Sequence, residues 1–192
     1  MGKIFSRILH SEQAGLLLAL VLLCMVISLL TPVFFTALNI KNVLRDASLV
    51  AIAGIGMVMI ILLGEIDLSV GSTQAVAGII AVAVLNQMDS VLLALLAALF
   101  AGAVIGLCNG LLVTKAGINS LIATLGMMAI LRGGAMVSTQ AVSIQGKVES
   151  FVEAGTGYLG PIPVPVLIAF VLFALFYYVL HHTILGRYIY AI

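Results

Sequence analysis

Two acidic residues interrupt a long apolar region of the chain. Glu65 and Asp67 lie within the stretch from Gly64 to Ser72, GEIDLSVGS, which has apolar sequence on both sides. A carboxylate at the centre of a bilayer costs about 2.5 to 3.5 kcal/mol on insertion scales, which disfavours placing both on a helix surrounded by lipid. The sequence therefore predicts a break between two helices at this point.

The residues around the two acids are suited to such a break. Gly64 and Gly71 allow a sharp bend and a close approach of the backbone. Asp67 or Ser69 can cap the following helix by accepting backbone N–H bonds. One interpretation is an ordinary connection between helices, with its acids in water. The other is a broken helix lining a translocation path, where irregular backbone is tolerated because it faces protein or a wet cavity.

In a third interpretation, the two acids transfer protons. Intramembrane acids relay protons in pumps and transporters, so Glu65 and Asp67 could serve a proton-coupled secondary carrier. The phosphate-binding pattern G-x-x-x-x-G-K-[ST] is absent, because Gly146-Lys147 is followed by Val148 and has no Gly at the required upstream position. Any ATP hydrolysis must therefore come from a partner protein.

The cysteines and histidines do not group into a site. Cys24 and Cys108 each lie inside an apolar run, where they build neither a disulfide framework nor a four-ligand zinc site. We interpret both as packing residues of the lipid phase. His181 and His182 end the last apolar run without a carboxylate or cysteine at ligand spacing, which makes a poor metal site. We predict no catalytic residue, no metal and no cofactor.

The composition defines the surroundings in which these residues work. Of the 192 residues, 64% are apolar and 8% are charged, whereas soluble domains have about 45–50% and about 25%. The chain is therefore an integral membrane protein in contact with the lipid bilayer. Its net charge of +1, without any run of Lys or Arg, leaves no basic surface for nucleic acid phosphates. Nucleic-acid binding is excluded.

About 20 largely apolar residues are needed for a helix to cross the bilayer, and six stretches are candidates. They are Ala14 to Phe35, Ala47 to Leu63, Leu68 to Leu85, Val91 to Val113, Ala116 to Leu131 and Pro163 to Leu180. The fifth could continue through the uncharged residues from Gly133 to Val142. Their continuous apolar character argues against the alternating strands of a barrel. We predict an all-α polytopic bundle of about six spanning helices, with the break between the second and third. These helices form a single transmembrane domain over residues 1–192.

Small residues recur along one face of the fourth predicted helix. Gly102, Gly106 and Gly110 lie four residues apart, and this spacing lets helix backbones approach closely where lipid supplies no hydrophobic drive for association. We predict helix packing at this face, with a flexible pivot as the alternative. Asn109 is the only side-chain amide of the segment. Its candidate roles are an interhelical hydrogen bond and a contact with cargo.

The number of Lys and Arg residues on each side of the membrane does not determine the orientation of the chain. With a cytoplasmic amino terminus, six crossings put Lys3, Arg7, Lys115 and Arg187 inside and Lys41, Arg45, Arg132 and Lys147 outside. Only the leading Lys3 and Arg7 favour this orientation. The polar, Gly/Pro-rich stretch from Arg132 to Pro163 is typical of one long aqueous loop, which would then face outward.

Three stretches together carry a family resemblance. The first is Gly64 to Ser72; the second runs from Asn109 to Val113 and continues through Leu121 to Met128 and Leu131 to Gly133; the third runs from Thr183 to Ile192. In this order they resemble the membrane subunit, or permease, of bacterial ABC importers for ribose, xylose, arabinose and related small sugars.

The resemblance implies a function and a set of partners. Family permeases pair in the inner membrane with a second, identical or different permease subunit. Two cytoplasmic ATPase subunits drive alternating access, and a periplasmic sugar-binding protein delivers the cargo. By analogy, Thr183, Gly186 and Arg187 would lie at the ATPase-coupling surface, and the Gly64 to Ser72 break in the permease core. The implied protein moves a small sugar and performs no covalent chemistry itself.

Three departures from the family pattern affect these expectations. Asn119 stands where relatives often have Pro, so we expect a less rigid entry to the following helix. Glu65 replaces the second Gly of the signature, which adds a charge and removes a flexible joint. The chain also ends at Ile192, within the third stretch, where relatives continue for several more helices. We therefore expect either a fragment that lacks the carboxyl-terminal half or a natural truncation. In the second case the chain would be a non-transporting remnant.

Overall fold

The computed structural model describes residues 12–191, and these form mainly helices. The helices are α1 (Glu12–Leu30), α2 (Ala37–Leu62), α3 (Val70–Met88), α4 (Val91–Thr114), α5 (Ser120–Thr139), α6 (Glu149–Thr156), α7 (Val164–His182) and α8 (Ile184–Ala191). A short antiparallel hairpin of β1 (Tyr158–Leu159) and β2 (Ile162–Pro163) pairs Tyr158 with Pro163 just before α7. The predicted all-α class is confirmed.

Two compact units divide the chain, one up to Asp46 and one from Ala47 onward. In the first unit, a turn over residues 31–36 joins α1 to α2. The Asn39 side-chain Nδ2 donates to the Phe34 carbonyl at 2.8 Å, and the Asn39 backbone N–H donates to Thr36 Oγ1 at 3.4 Å. These bonds satisfy donors at the start of α2. A single domain over residues 1–192 stays a prediction.

Five helices are long and apolar enough to cross a membrane, namely α2, α3, α4, α5 and α7. The apolar part of α1, Ala14–Leu30, is shorter. Large apolar side chains along the helices are exposed, and Leu29 of α1 is 87% exposed. Such exposure suits a chain whose solvent is lipid, because lipid tails are as apolar as Leu. The protein is a multi-pass membrane protein.

The prediction of one long loop from Arg132 to Pro163 is wrong, and the alternative extension of the fifth span past Gly133 is confirmed as far as Thr139. Helix α5 continues to Thr139, so Arg132 lies inside a candidate spanning helix, and α6 with the β1–β2 hairpin occupies much of the remainder. The chain stays helical through Gly133 because backbone groups in lipid must be satisfied within the helix. Arg132 therefore does not count among the outer charges. Lys3 and Arg7 lie outside the described residues.

Helices α3 and α4 are joined by a tight turn and pack against each other. Asp89 ends α3 in the left-handed region at φ +49°, and Ser90 Oγ accepts the Leu93 N–H at 3.4 Å at the start of α4. Near this turn lie the buried apolar residues Ala81, Leu85 and Ala94, which we call the packed end. Helix α5 packs beside α3 and α4.

The start of α5 is fixed by local signals. Gly117 adopts φ +67°, a conformation that favours glycine. Asn119 is the N-cap, since its Oδ1 accepts the Leu121 N–H at 3.0 Å. This turn brings Ser120 and Thr124 against the break between α2 and α3.

Candidate functional site

The break predicted at Gly64 to Ser72 is present. Helix α2 ends at Leu62 and α3 begins at Val70. The Glu65 N–H donates to the Ile60 carbonyl at 3.2 Å, and the Gly64 N–H donates to the Ile61 carbonyl at 2.9 Å. This is a Schellman motif, and Gly64 occupies its left-handed position with φ +75°. The glycine therefore terminates α2 without the steric cost that a side chain would add.

Asp67 organises the residues that follow. Its Oδ1 accepts the Ser69 backbone N–H at 2.7 Å and the Ser69 hydroxyl at 2.6 Å. Ser69 occupies the N-cap position of α3, but its side chain makes no cap hydrogen bond. Of the two predicted caps, Asp67 therefore accepts a backbone N–H at the start of α3, whereas the Ser69 oxygen accepts from the Asn109 side chain instead of from the helix backbone. Gly71 and Ser72 lie in the first turn of α3, and no described atom comes close to the place that a Cβ on Gly71 would take.

The backbone of the break is held from α5. The Ile66 N–H donates to Ser120 Oγ at 3.4 Å, and Thr124 Oγ1 lies 3.5 Å from the Ile66 carbonyl. Thr124 also donates to the Ser120 carbonyl at 2.7 Å. Ser120 and Thr124 are both buried. The α5 side chains thus give hydrogen-bond partners to backbone groups that no helix satisfies.

Asn109 joins α4 to this arrangement. Its Nδ2 donates to Ser69 Oγ at 2.9 Å, and Ser69 is fully buried. Of the two roles considered for Asn109, a bond to a neighbouring element is therefore present. Its Oδ1 is buried and has no hydrogen-bond partner in the described part of the chain. We call Asp67, Ser69 and Asn109 the break network.

A groove of about 640 Å³ lies beside the break network. Its walls come from α2, α3 and α4, with Phe176 of α7, and they are mostly small or apolar. Four polar side chains also line the groove: Asp67, Thr73, Gln74 and Asn109. The residues lining it do not include Glu65 or Ser72, and Glu65 is half-buried. The acids predicted as a pair are thus separated, with Asp67 alone at the groove.

The glycines of α4 lack the close helix contact predicted from their spacing. A Cβ added at Gly102, Gly106 or Gly110 would meet no neighbouring atom within 4 Å in the residues that the structure describes. Gly102 and Gly106 instead line the groove. The missing side chains leave space that no other described helix fills. Packing of this face against a helix outside the described residues stays a prediction.

The third predicted group forms the corner between α7 and α8. Thr183 Oγ1 donates to the Val179 carbonyl at 2.6 Å and accepts the Gly186 N–H at 3.3 Å. Gly186 is buried against the Leu180 carbonyl, so closely that an added Cβ would collide with it. Arg187 is exposed. The close approach of α8 to the end of α7 thus requires a glycine at position 186. The side chain of Arg187 at the same corner is free of such packing and lies at the surface.

The remaining candidates have structural surroundings. Cys108 is exposed and Cys24 half-buried, and both are free thiols. The His181 ring stacks on Tyr177 with centroids 4.2 Å apart, and His182 lies 5.2 Å from Tyr178. In residues 12–191, the His, Cys, Asp and Glu side chains do not gather in threes as a metal site would need.

Sequence reasoning missed four polar residues of this region. Thr73 and Gln74 line the groove from α3, and Ser120 and Thr124 hold the break from α5. Ser120 and Thr124 are four residues apart at a helix start, which places them on one face. That spacing was the available signal. Thr73 and Gln74 gave none, because polar residues near a helix end are ordinary.

Comparison with known proteins identifies the family. A family model described as "Branched-chain amino acid transport system / permease component" matches residues 39–192. The chain is 41% identical to the ribose import permease protein of Escherichia coli, over 99% of this chain and 60% of that protein. It is 32% identical to the L-arabinose ABC transporter permease protein of Azospirillum brasilense, over 94% of this chain and 53% of that protein. No solved structure matches.

The similarity extends over every feature described in the second unit. It includes the break, Asn109 and the α7–α8 corner, all of which fall within the matched residues. The chain spans 60% or less of the length of these two relatives. The resemblance inferred from three short stretches is confirmed, and the chain belongs to the permease family of bacterial ABC importers, among whose members it is similar to the sugar permeases.

Proposed function

We propose that the permease containing this chain moves a small sugar inward across the bacterial inner membrane. Separate cytoplasmic ATPase subunits hydrolyse the ATP, a periplasmic binding protein delivers the sugar, and a second permease subunit completes the pathway. The observation that carries the proposal is the groove beside the break, where apolar walls meet the polar side chains of Asp67, Thr73, Gln74 and Asn109. Apolar walls with a few placed polar groups are typical of small-molecule sites.

The charge of the groove favours a sugar over an amino acid. Among the described residues that line it, the only charged side chain is the carboxylate of Asp67. An amino acid would bring a second carboxylate into a groove that already holds that of Asp67, and none of the described lining residues is a Lys or Arg that would offset the repulsion. A neutral polyol needs only hydrogen-bond donors and acceptors. This distinction matters because the family description names amino acids, whereas the two relatives are named for ribose and arabinose.

The order of the spanning helices supports a coupling role for the α7–α8 corner. If α3, α4, α5 and α7 each cross the membrane, the break, the α4–α5 turn and the α7–α8 corner lie at the same membrane face. We infer that this face is cytoplasmic and that α8 meets the ATPase there through Arg187. The charge-reversal variant Arg187→Glu should lower ATP-dependent uptake at least tenfold without lowering the thermal stability of the isolated permease.

A charge reversal at the other face is the matched control. Lys147 is exposed in the connection between α5 and α6, so Lys147→Glu should leave the coupling between ATP hydrolysis and uptake intact. Equal losses in the two variants would contradict the assignment of α8 to the coupling surface.

The proposed function is tested by uptake into proteoliposomes. The complete permease, its ATPase subunits and its binding protein would be reconstituted, and radiolabelled ribose, arabinose and leucine offered with ATP or with a non-hydrolysable analogue. We expect uptake of a sugar that requires hydrolysable ATP. Uptake of leucine alone would contradict the sugar assignment. The same assay on the 192-residue chain with its cognate ATPase tests the remnant hypothesis, because uptake by that chain would count against it.

A proton-coupled carrier is the second candidate, because Asp67 lies at the groove. It predicts uptake that a proton gradient drives without ATP and that Asp67→Asn abolishes. An ATP-driven importer instead keeps transporting when an ionophore removes the gradient. The same vesicles therefore decide between the two mechanisms.

A further inference from the structure

The hydrogen bonds of the break network run in one direction. Asp67 Oδ1 accepts the Ser69 hydroxyl at 2.6 Å, and Ser69 Oγ accepts from Asn109 Nδ2 at 2.9 Å. A carboxylate only accepts, whereas a hydroxyl has a single proton to donate. The Ser69 proton is therefore committed to Asp67, and the Ser69 oxygen can only accept. Asn109 must then turn its NH₂ group toward Ser69 and its carbonyl oxygen away.

That carbonyl oxygen is the unpaired end of the network. Asn109 is 6% exposed, and its Oδ1 is buried without a hydrogen-bond partner among residues 12–191. A buried acceptor left unpaired bears its full desolvation cost. Asn109 also lines the groove, so the missing donor can come from a molecule that occupies the groove.

We infer that Asn109 Oδ1 accepts a hydrogen bond from a hydroxyl group of the sugar as it passes the groove, and that Asp67 and Ser69 are the positioning residues that fix this polarity. The inference rests on the proposed function. For this hydrogen bond Asn109 touches the cargo and Asp67 and Ser69 act through it, although the Asp67 side chain also lines the groove. Without the carboxylate, the Ser69 proton could turn toward Asn109, which would then rotate and present its NH₂ group instead.

A hydroxyl donor can belong to the sugar or to water, and monodeoxy sugars separate these sources. Uptake by the complete permease, with its ATPase and binding protein in proteoliposomes, would be measured for the transported sugar and for those monodeoxy analogues that the binding protein retains. Saturating loaded binding protein makes kcat report translocation. We expect one analogue to be transported about tenfold more slowly than the parent sugar, as for a buried hydrogen bond left unmade.

The variants test the positioning roles. Asn109→Leu and Asp67→Ala should each reduce the ratio of parent to deoxy kcat from about tenfold to within about twofold. Ala is used at position 67 because an Asn would keep an Oδ1 that accepts the Ser69 N–H and hydroxyl. Ser69→Ala should act in the same way as Asp67→Ala, and the half-buried Asp67 covers the case in which the fully buried Ser69 does not tolerate Ala. The control is Asp89→Asn, at the exposed end of α3 and away from the groove, which should retain the tenfold ratio.

Each outcome bears on the inference. A purely structural network would slow all the sugars equally and leave the ratio intact, which contradicts the inference. So would an unaltered permease that transports every deoxy analogue as fast as the parent, since water or protein would then supply the donor. If the unaltered permease showed no ATP-dependent uptake of any sugar, the proposed function itself would fail, and this inference with it.

Discussion

Two asparagines of neighbouring helices show how the two ends of the α3–α4 pair differ. At the packed end, Asn86 uses both halves of its amide: its Nδ2 donates to the Gln145 carbonyl at 3.0 Å and its Oδ1 accepts the Lys147 N–H at 2.9 Å. At the break, Asn109 uses only its NH₂ group. An amide satisfied on both sides fastens a loop to a helix. An amide whose oxygen is unpaired beside a groove can still accept a hydrogen bond from a ligand.

The surroundings of the two amides differ in the same way. Leu85 is fully buried among Ala81 and Ala94, and Phe151 packs on this cluster from α6. The break has polar contacts in place of such a core, with Gly64 in a left-handed conformation. One end of the helix pair is therefore built for stability. The other leaves the buried Asn109 Oδ1 unpaired among the described residues, which costs stability and favours a functional role for this acceptor.

The largest loss of stability is expected from Leu85→Ala. The side chain is fully buried, so its removal leaves a cavity. Because lipid is as apolar as Leu, the substitution loses little hydrophobic stabilisation between the helices. The loss in free energy of unfolding comes mainly from the cavity and should be about 2 kcal/mol, the low end of the range for buried Leu→Ala substitutions. Thermal unfolding of the permease in detergent would measure the effect. Leu92→Ala, at a residue 66% exposed, is the control and should unfold like the parent.

The next effect tests the backbone of the break. Gly64 has φ +75° and open space around it, so Gly64→Ala meets no clash but adopts a left-handed conformation at a cost of about 1 kcal/mol. Gly71→Ala, inside α3 and equally unobstructed, should be neutral or slightly stabilising. If Gly64→Ala instead had a higher apparent Tm than Gly71→Ala, the Schellman turn would not constrain Gly64.

How far the sequence predicts this molecule depends on the kind of signal. The spans and the break followed from the cost of burying charge and backbone in lipid, which a single chain displays directly. Gly64 could be placed in the break but not at the Schellman position, because that requires knowing where α2 ends. The α5 contacts of Ser120 and Thr124 join segments more than fifty residues apart, and no local pattern shows which helices are neighbours. Arg132 was misplaced because the polar, Gly/Pro-rich character of the stretch up to Pro163 was taken to begin at this charge.

A smaller loss of stability is expected at the packed end from Asn86→Leu. The substitution leaves the Gln145 carbonyl and the Lys147 N–H without their partner, although both groups are near solvent, so water reduces the cost to about 1 kcal/mol. Asn109→Leu should change stability less, because it removes one hydrogen bond and also one unpaired acceptor. Comparing apparent Tm with sugar uptake should separate the two asparagines: the first variant loses mainly stability and the second mainly transport. If both variants lost stability and uptake to the same extent, the proposed difference between the two asparagines would be contradicted.

The smallest change in stability, with a large change in transport, is expected from Gly106→Leu. Spacing alone predicts that this residue packs tightly, in which case a Leu side chain would disrupt assembly. The structure instead leaves space around Gly106 and places it at the groove, so the new side chain would occupy the path of the cargo. Apparent Tm should stay near that of the parent while uptake falls at least tenfold. A marked drop in Tm of the assembled complex would instead show that a partner's helix covers this face, and the groove would then be part of an interface between subunits.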